Sequence, residues 1–187
     1  PFPSGGVDLM KYDLEDLRED LPEVYPGRDT AAVCFGIPDL RYDYRLNNAY
    51  LADQCDNERF FALRLFDPTQ DTPETLREDL SSGRYLGVKP YPIYPRKARE
   101  TEVEIVDMLP DWCMEIVDAL GQIVMLHIPR PGRIADPVNQ KQLVRLCTKY
   151  PRANIVLAHI GRAYYLKNIL GNLEALKTLP NLYYDLT

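Results

Sequence analysis

Short apolar runs alternate with longer amphipathic stretches along the whole chain. The runs fall at residues 30–35, 60–66, 85–89, 123–128, 154–160 and 182–186. They are rich in Val, Ile, Leu, Phe and Tyr, and most stop at Gly, Pro or Asp, as at Gly36, Asp67-Pro68, Pro90, Pro129 and Gly161. Such runs predict strands, and their lack of apolar–polar alternation predicts burial on both faces. Between them the period lengthens to that of a helix. Leu14, Leu17 and Leu21 mark an acidic helix over 13–21 that ends at Pro22. Leu46, Tyr50 and Leu51 mark a second over 41–55. Thr72 before Pro73 is a cap followed by proline at the first helical position, and Gly83 closes that helix. Helical pattern also spans 102–120, broken near Pro110 and ended by Gly121. Asp136-Pro137 starts a further helix with Val138, Leu143, Val144, Leu146 and Cys147 on its apolar face, and a last one is predicted over 163–176.

Strand followed by helix-sized crossover, repeated in series, is the pattern of a parallel sheet. Six such units favour an α/β architecture, an incomplete TIM (β/α)8 barrel with about six βα units present, over an open doubly wound sheet. No G-x-G-x-x-G or G-x-x-x-x-G-K-[ST] opens any of the helices, so a nucleotide site lacks its phosphate cradle. The whole of residues 1–187 reads as one partial domain.

The chain has two histidines, and both end an apolar run: Ile-Val-Met-Leu-His127 and Ile-Val-Leu-Ala-His159. In a parallel barrel the carboxyl ends of the strands carry the chemistry. Two imidazoles from neighbouring strand ends can ligate a divalent ion such as zinc, and one of them can serve as an acid–base group. A catalytic zinc ordinarily has three protein ligands, and Asp185, Asp39 and Asp67 are the candidate carboxylates. Lys89 ends the third run and is a candidate for substrate binding. Arg130 and Arg133, just beyond His127, could clamp a substrate carboxylate. Tyr91 and Tyr94 could line the same mouth, while Glu102 and Glu104 read as a solvated helix start.

Bulk properties narrow the partners. A net charge of −6 argues against a nucleic-acid ligand, and no apolar run approaches the length of a membrane helix. The four cysteines are dispersed with no C-x-x-C pair, which reads as reduced thiols and a cytoplasmic location. A small-molecule substrate is the expected partner, and homo-oligomerisation stays open.

Four segments carry a resemblance to a known family: Gly87-Val88-Lys89-Pro90-Tyr91-Pro92, Met125-Leu126-His127, Tyr150-Pro151-Arg152-Ala153-Asn154-Ile155-Val156-Leu157-Ala158-His159-Ile160-Gly161, and Asn181-Leu182-Tyr183-Tyr184-Asp185-Leu186. Together they resemble the metal-dependent TIM-barrel hydrolases of the amidohydrolase superfamily, closest to its "amidohydrolase 2" group of hydrolases, lactonases and decarboxylases. The resemblance implies that His127 is a metal ligand. It implies that His159 is either a second ligand or the group that activates the metal's water, and that Lys89 bridges metals or contacts substrate. The family's His-x-His on strand one and late aspartate on strand eight have no match, so the six runs correspond to strands two to seven. With Pro1 first and Thr187 last, both ends look cut, and the stretch alone is expected to be inactive. The activity expected is hydrolysis of an amide, ester or lactone by a metal-activated water, with zinc as the expected metal. The alternatives are non-oxidative decarboxylation on the same scaffold and a catalytically silent barrel that only binds.

Overall fold

A computed structural model describes residues 12–171 and 173–186. Six strands form one sheet in sequence order, every neighbouring pair parallel: β1 (Ala32–Cys34), β2 (Phe60–Phe66), β3 (Gly87–Pro90), β4 (Ile123–Leu126), β5 (Asn154–Leu157) and β6 (Leu182–Tyr184). The sheet curls into an open half-barrel with helices in the crossovers, an incomplete TIM barrel. The helices are α1 (Leu14–Val24), α2 (Tyr44–Gln54), α3 (Pro73–Ser81), α4 (Ile105–Met108), α5 (Asp111–Leu120) and α6 (Pro137–Lys149).

The caps read from sequence are in place. The Thr75 amide donates to Thr72 Oγ1 at 3.3 Å, with Pro73 opening α3. The Val138 amide donates to Asp136 Oδ1 at 2.9 Å at the start of α6. Gly121 ends α5 at φ 67°, in the left-handed region that favours glycine. Gly87 is needed for packing instead: a Cβ there would run into the backbone of Ile123 on the paired strand.

The core lies between sheet and helices. Val88, Val124, Leu126, Ile155 and Leu157 point outward and pack with Leu76, Leu80, Cys113, Met114, Val117, Leu143 and Leu146. β2 and β3 are buried almost throughout, as their apolar runs predict, but β4 and β5 alternate buried and half-buried positions. Their second face lines the concave side of the open curl, where no further layer among the described residues covers it. Alternation also sorts the polar positions: Leu65 pairs with Lys89 on the concave side, while Arg64 faces the helices.

Four expectations are corrected. The strands ending in the histidines are shorter than the apolar runs, so His127 and His159 lie just past β4 and β5 rather than in them. α1 continues through Pro22 to Val24 because in a final turn the proline forfeits only one backbone bond. β3 includes Pro90 at its last position, where the ladder ends and no further donor is required. No helix forms among the described residues of 163–176. That stretch holds only the 3-10 turn Leu166–Asn168 among the described residues, with Tyr164, Tyr165, Leu166 and Leu170 exposed. Ala163, Leu173 and Leu176 reach the core, but the four exposed residues between them find no surface to cover, and a short helix draws its stability from packing. Among the described residues no helix is long and apolar enough to cross a membrane.

Candidate active site at the carboxyl ends of the strands

Every strand end from β3 to β6 delivers a chemically competent side chain to one place. Lys89 comes from the third position of β3, Tyr91 from just beyond it, His127 from beyond β4, His159 from beyond β5 and Asp185 from beyond β6. The His127 and His159 rings stand edge to face with centroids 5.4 Å apart. Tyr91 stacks on the other side of His127 at 5.0 Å and 21°. The Lys89 ammonium sits over two rings, Phe35 at 4.9 Å and Tyr91 at 5.0 Å.

The backbone after β5 is unusual. His159, Ile160, Gly161 and Arg162 all take positive φ, at 54°, 50°, 63° and 57°. A β-branched residue such as Ile160 adopts that region only at a cost of order 1–2 kcal/mol. The turn is held by Asp185, whose Oδ1 accepts the His159 amide at 2.7 Å and whose carbonyl accepts the Ile160 amide at 3.0 Å. Asp185 is tied in turn to β5 through its own amide, which donates to the Leu157 carbonyl at 3.1 Å. Gly161 is buried, and a side chain there would press on Ile128 and Ile134. The sequence His-Ile-Gly-Arg therefore folds back into the mouth and fixes where the imidazole begins.

Electrostatics make His127 a neutral imidazole. Burial lowers its pKa to about 3, and the charges of Arg162, Lys89, His159 and Arg133 push the same way. Its Nδ1 is buried with no hydrogen-bond partner. Burial also lowers Lys89 to about 8, with the Asp185 carboxylate pulling in the other direction. A neutral imidazole with a ring nitrogen left without a partner is what a metal ligand requires. With metal–nitrogen bonds of about 2.0–2.1 Å, two imidazoles on one tetrahedral ion have ring centres about 5 Å apart. The observed separation is close to that, so the pair fits a shared divalent ion. Among the described residues no group of three or more His, Cys, Asp and Glu is arranged to hold one, so the pair supplies only part of a ligand set.

The other candidates lie elsewhere or are engaged. Arg130 is held by Asp136 at 3.1 Å and Glu104 at 3.7 Å, so its charge is already engaged by two carboxylates. Glu104 is correspondingly no bare solvated position, since Gln142 also donates to it at 2.6 Å. Asp67 pairs with Arg96 at 2.8 Å and accepts from Thr69. Asp39 is chelated by Arg41. Tyr94 is buried against Tyr44 and Leu65, below Tyr91. Sequence reasoning passed over Phe35 and Arg162. Phe35 follows β1 by the same strand-end rule that found Lys89. Arg162 follows His159 by three residues, and its guanidinium donates to the Ile128 carbonyl at 3.2 Å.

Comparison with known proteins places these features in context. The amidohydrolase family model matches residues 2–187. Among solved structures, a 2,6-dihydroxybenzoate decarboxylase from Rhizobium superposes with a TM-score of 0.56 at 19% identity, covering 93% of this chain and 69% of that one. A 5-carboxyvanillate decarboxylase from Sphingomonas paucimobilis gives 0.52 at 17% identity, covering 91% and 60%. A dihydroxybenzoic acid decarboxylase from Polaromonas sp. JS666, with bound manganese and the inhibitor 2-nitroresorcinol, gives 0.50 at 20% identity, covering 81% and 56%. The chain thus spans less than two thirds of the latter two enzymes. No curated protein sequence matches it.

Proposed function

We propose, for a chain that belongs to the amidohydrolase family, that His127 and His159 are divalent-metal ligands of a metal-dependent enzyme acting on a small anionic substrate. The reaction proposed is hydrolysis of an amide, ester or lactone. The observation that carries this reading is the juxtaposition of two imidazoles at 5.4 Å with an orphaned buried Nδ1 on one of them. A divalent ion bound there supplies Lewis acidity, whether it is zinc or, as in the Polaromonas neighbour, manganese.

The chain's own groups divide the remaining work. Asp185, or His159 where it activates the water instead of serving as the second ligand, takes the proton from the attacking water, since both sit at the mouth and Asp185 already orients the His159 backbone. Lys89 binds the negative charge of the substrate. Its ammonium, desolvated between Phe35 and Tyr91, would interact strongly with an incoming carboxylate. Arg162, the strongest charge acting on His127, is the guanidinium offered to the substrate in place of the ion-paired Arg130. Tyr91, parallel to the His127 ring, forms a wall against which a flat substrate can lie.

A second reading, non-oxidative decarboxylation, is favoured by that same aromatic wall beside a buried cation, which suits a carboxylated ring. The two reactions share the metal and part at the substrate. Metal analysis of the purified chain and of His127→Ala and His159→Ala tests the shared premise. Each substitution is expected to lower bound divalent metal at least tenfold with the fold intact by circular dichroism. Metal content unchanged in both variants would sink the assignment. Turnover assays on lactones against carboxylated phenols then separate hydrolase from decarboxylase.

A further inference from the structure

We propose that the mouth holds two separate anion positions and so takes a dicarboxylate, with one carboxylate at Lys89 and the other at a rim subsite where Arg162 and Arg133 meet Tyr164. This rests on, and narrows, the reading of the mouth as the site of a metal-dependent enzyme for an anionic substrate. Arg162 is half-buried and fixed at two points. Its Nη1 donates to the carbonyl of Ile128, the residue after His127, at 3.2 Å, and its Nε to the Tyr164 hydroxyl at 3.3 Å. Both partners are neutral, and among the described residues no carboxylate pairs with Arg162 and its Nη2 makes no hydrogen bond. A guanidinium oriented by neutral groups, with donors of its planar fork unused, is suited to a carboxylate. Arg133 brings a second guanidinium to the same ring, its Cζ 6.0 Å from the Tyr164 centroid. The loop after β4 and the turn after β5 thus each supply one arginine to one tyrosine.

The two positions are distinct. Phe35 and Tyr91 hold the Lys89 ammonium on β3, whereas Ile128 and Tyr164 hold the Arg162 guanidinium beyond β5. β4 lies between those strands, which puts their backbones about 10 Å apart at the usual strand spacing. No residue is shared between the two sets of partners. Room for the second group exists beside the histidines, in an open cleft of about 450 Å³ lined by His159, Ile160, Ala163, Tyr164 and Leu186. That volume lies in the range of small-molecule sites.

The wider charge distribution points the same way. After burial, the influences that lower His127 are the positive charges of Arg162, Lys89, His159 and Arg133. The Asp185 carboxylate lies at the same mouth, but its Oδ1 is committed to the His159 amide at 2.7 Å. A chain of net charge −6 has therefore gathered cations at one opening, which favours a doubly charged anion over a singly charged one.

The test compares isophthalate and terephthalate with benzoate, by isothermal titration calorimetry on the full chain in low salt. At least one dicarboxylate is expected to bind about tenfold or more tighter than benzoate. Arg162→Gln is expected to bring that ratio to within about twofold, and Arg133→Gln to lower it in part. Three ligands of equal affinity in the wild type overturn the proposal, as does the absence of binding by either dicarboxylate. A preference that survives Arg162→Gln intact overturns it too, as adventitious binding to surface cations. The wild-type ratio decides even if Arg162→Gln fails to fold, and Arg133→Gln then tests the rim. Equal affinities would leave any metal loss in His127→Ala untouched, and metal retained in that variant would leave the dicarboxylate ratio untouched, so the two readings fall separately.

Discussion

Arg64 on β2 and Lys89 on β3 are buried cations on neighbouring strands, 3% and 1% exposed, yet the fold treats them in opposite ways. Arg64 faces the helices and every arm of its guanidinium is used. Nε donates to Asp79 at 2.6 Å, Nη1 and Nη2 to Asp71 at 3.0 and 2.9 Å, and Nη1 also to the Leu65 carbonyl. Burial works against its charge, but the two carboxylates more than restore it. Lys89 faces the mouth and meets rings rather than carboxylates, with no ion pair among the described residues. Its basicity falls accordingly. One charge is completed by the protein itself. The other is left short of a counter-charge, which is the condition in which a bound anion would gain most.

The sharpest way to break the contrast is to strip Arg64 of its partner. Asp71 also accepts from the Asp67 amide at 2.8 Å and the Tyr44 hydroxyl at 3.0 Å, so its loss strands several donors at once. Asp71→Ala is expected to cost about 3–5 kcal/mol, the range for leaving a buried charge uncompensated. Urea unfolding followed by circular dichroism measures it. A loss below about 1 kcal/mol would mean that water reaches Arg64 and that its pairing is incidental.

Lys89→Met runs the opposite way. Removing a desolvated ammonium while keeping an unbranched side chain of similar length is expected to stabilise the chain by about 1–3 kcal/mol at pH 7. Substrate-anion binding should be lost in the same variant, the exchange expected of a functional site. The sign with pH follows from the lowered pKa. Folded Lys89 releases its proton near pH 8, whereas the unfolded chain holds its own to about 10.5. Below pH 8 both states are protonated and the burial penalty is fully present. Between pH 8 and 10.5 the unfolded state binds more protons, so stability rises, by about 3 kcal/mol over the whole interval. The difference in unfolding free energy between wild type and Lys89→Met, measured from pH 7 to 10.5, should therefore shrink. A flat difference would show a lysine that is solvated or already paired.

How far this contrast could be read beforehand depends on sequence separation. The strands were legible because burial writes itself into local composition, as in Phe-Phe-Ala-Leu-Arg-Leu-Phe and Ile-Val-Met-Leu. The histidines were legible because topology alone puts strand ends together. Lys89 sat at a strand end, so it was a candidate, but nothing local revealed that its neighbours would be Phe35 and Tyr91. Arg64 drew no notice, since its partners lie 7 and 15 residues away on a loop and a helix. Arg130 looked like a substrate clamp because its companions Asp136 and Glu104 meet it only after folding. The spacing over 163–176 promised a helix that tertiary packing does not support. Local periodicity carries the fold, while the assignment of charge partners is a long-range property.

The smallest effect tests what replaces a counter-charge at Lys89. If the Tyr91 ring holds the ammonium by its quadrupole, removing the ring should matter only while the charge is present. Tyr91→Leu alone also loses the stack on His127, so its raw cost mixes two interactions. A double-mutant cycle with Lys89→Met isolates the pair, because the His127 stack is lost equally in both backgrounds. The coupling expected is about 1 kcal/mol, between the values for exposed and desolvated cation–π pairs. Coupling near zero would leave the Lys89 ammonium uncompensated by Tyr91. The contrast with Arg64 would then be wider still, and the attraction of the mouth for an anion correspondingly greater.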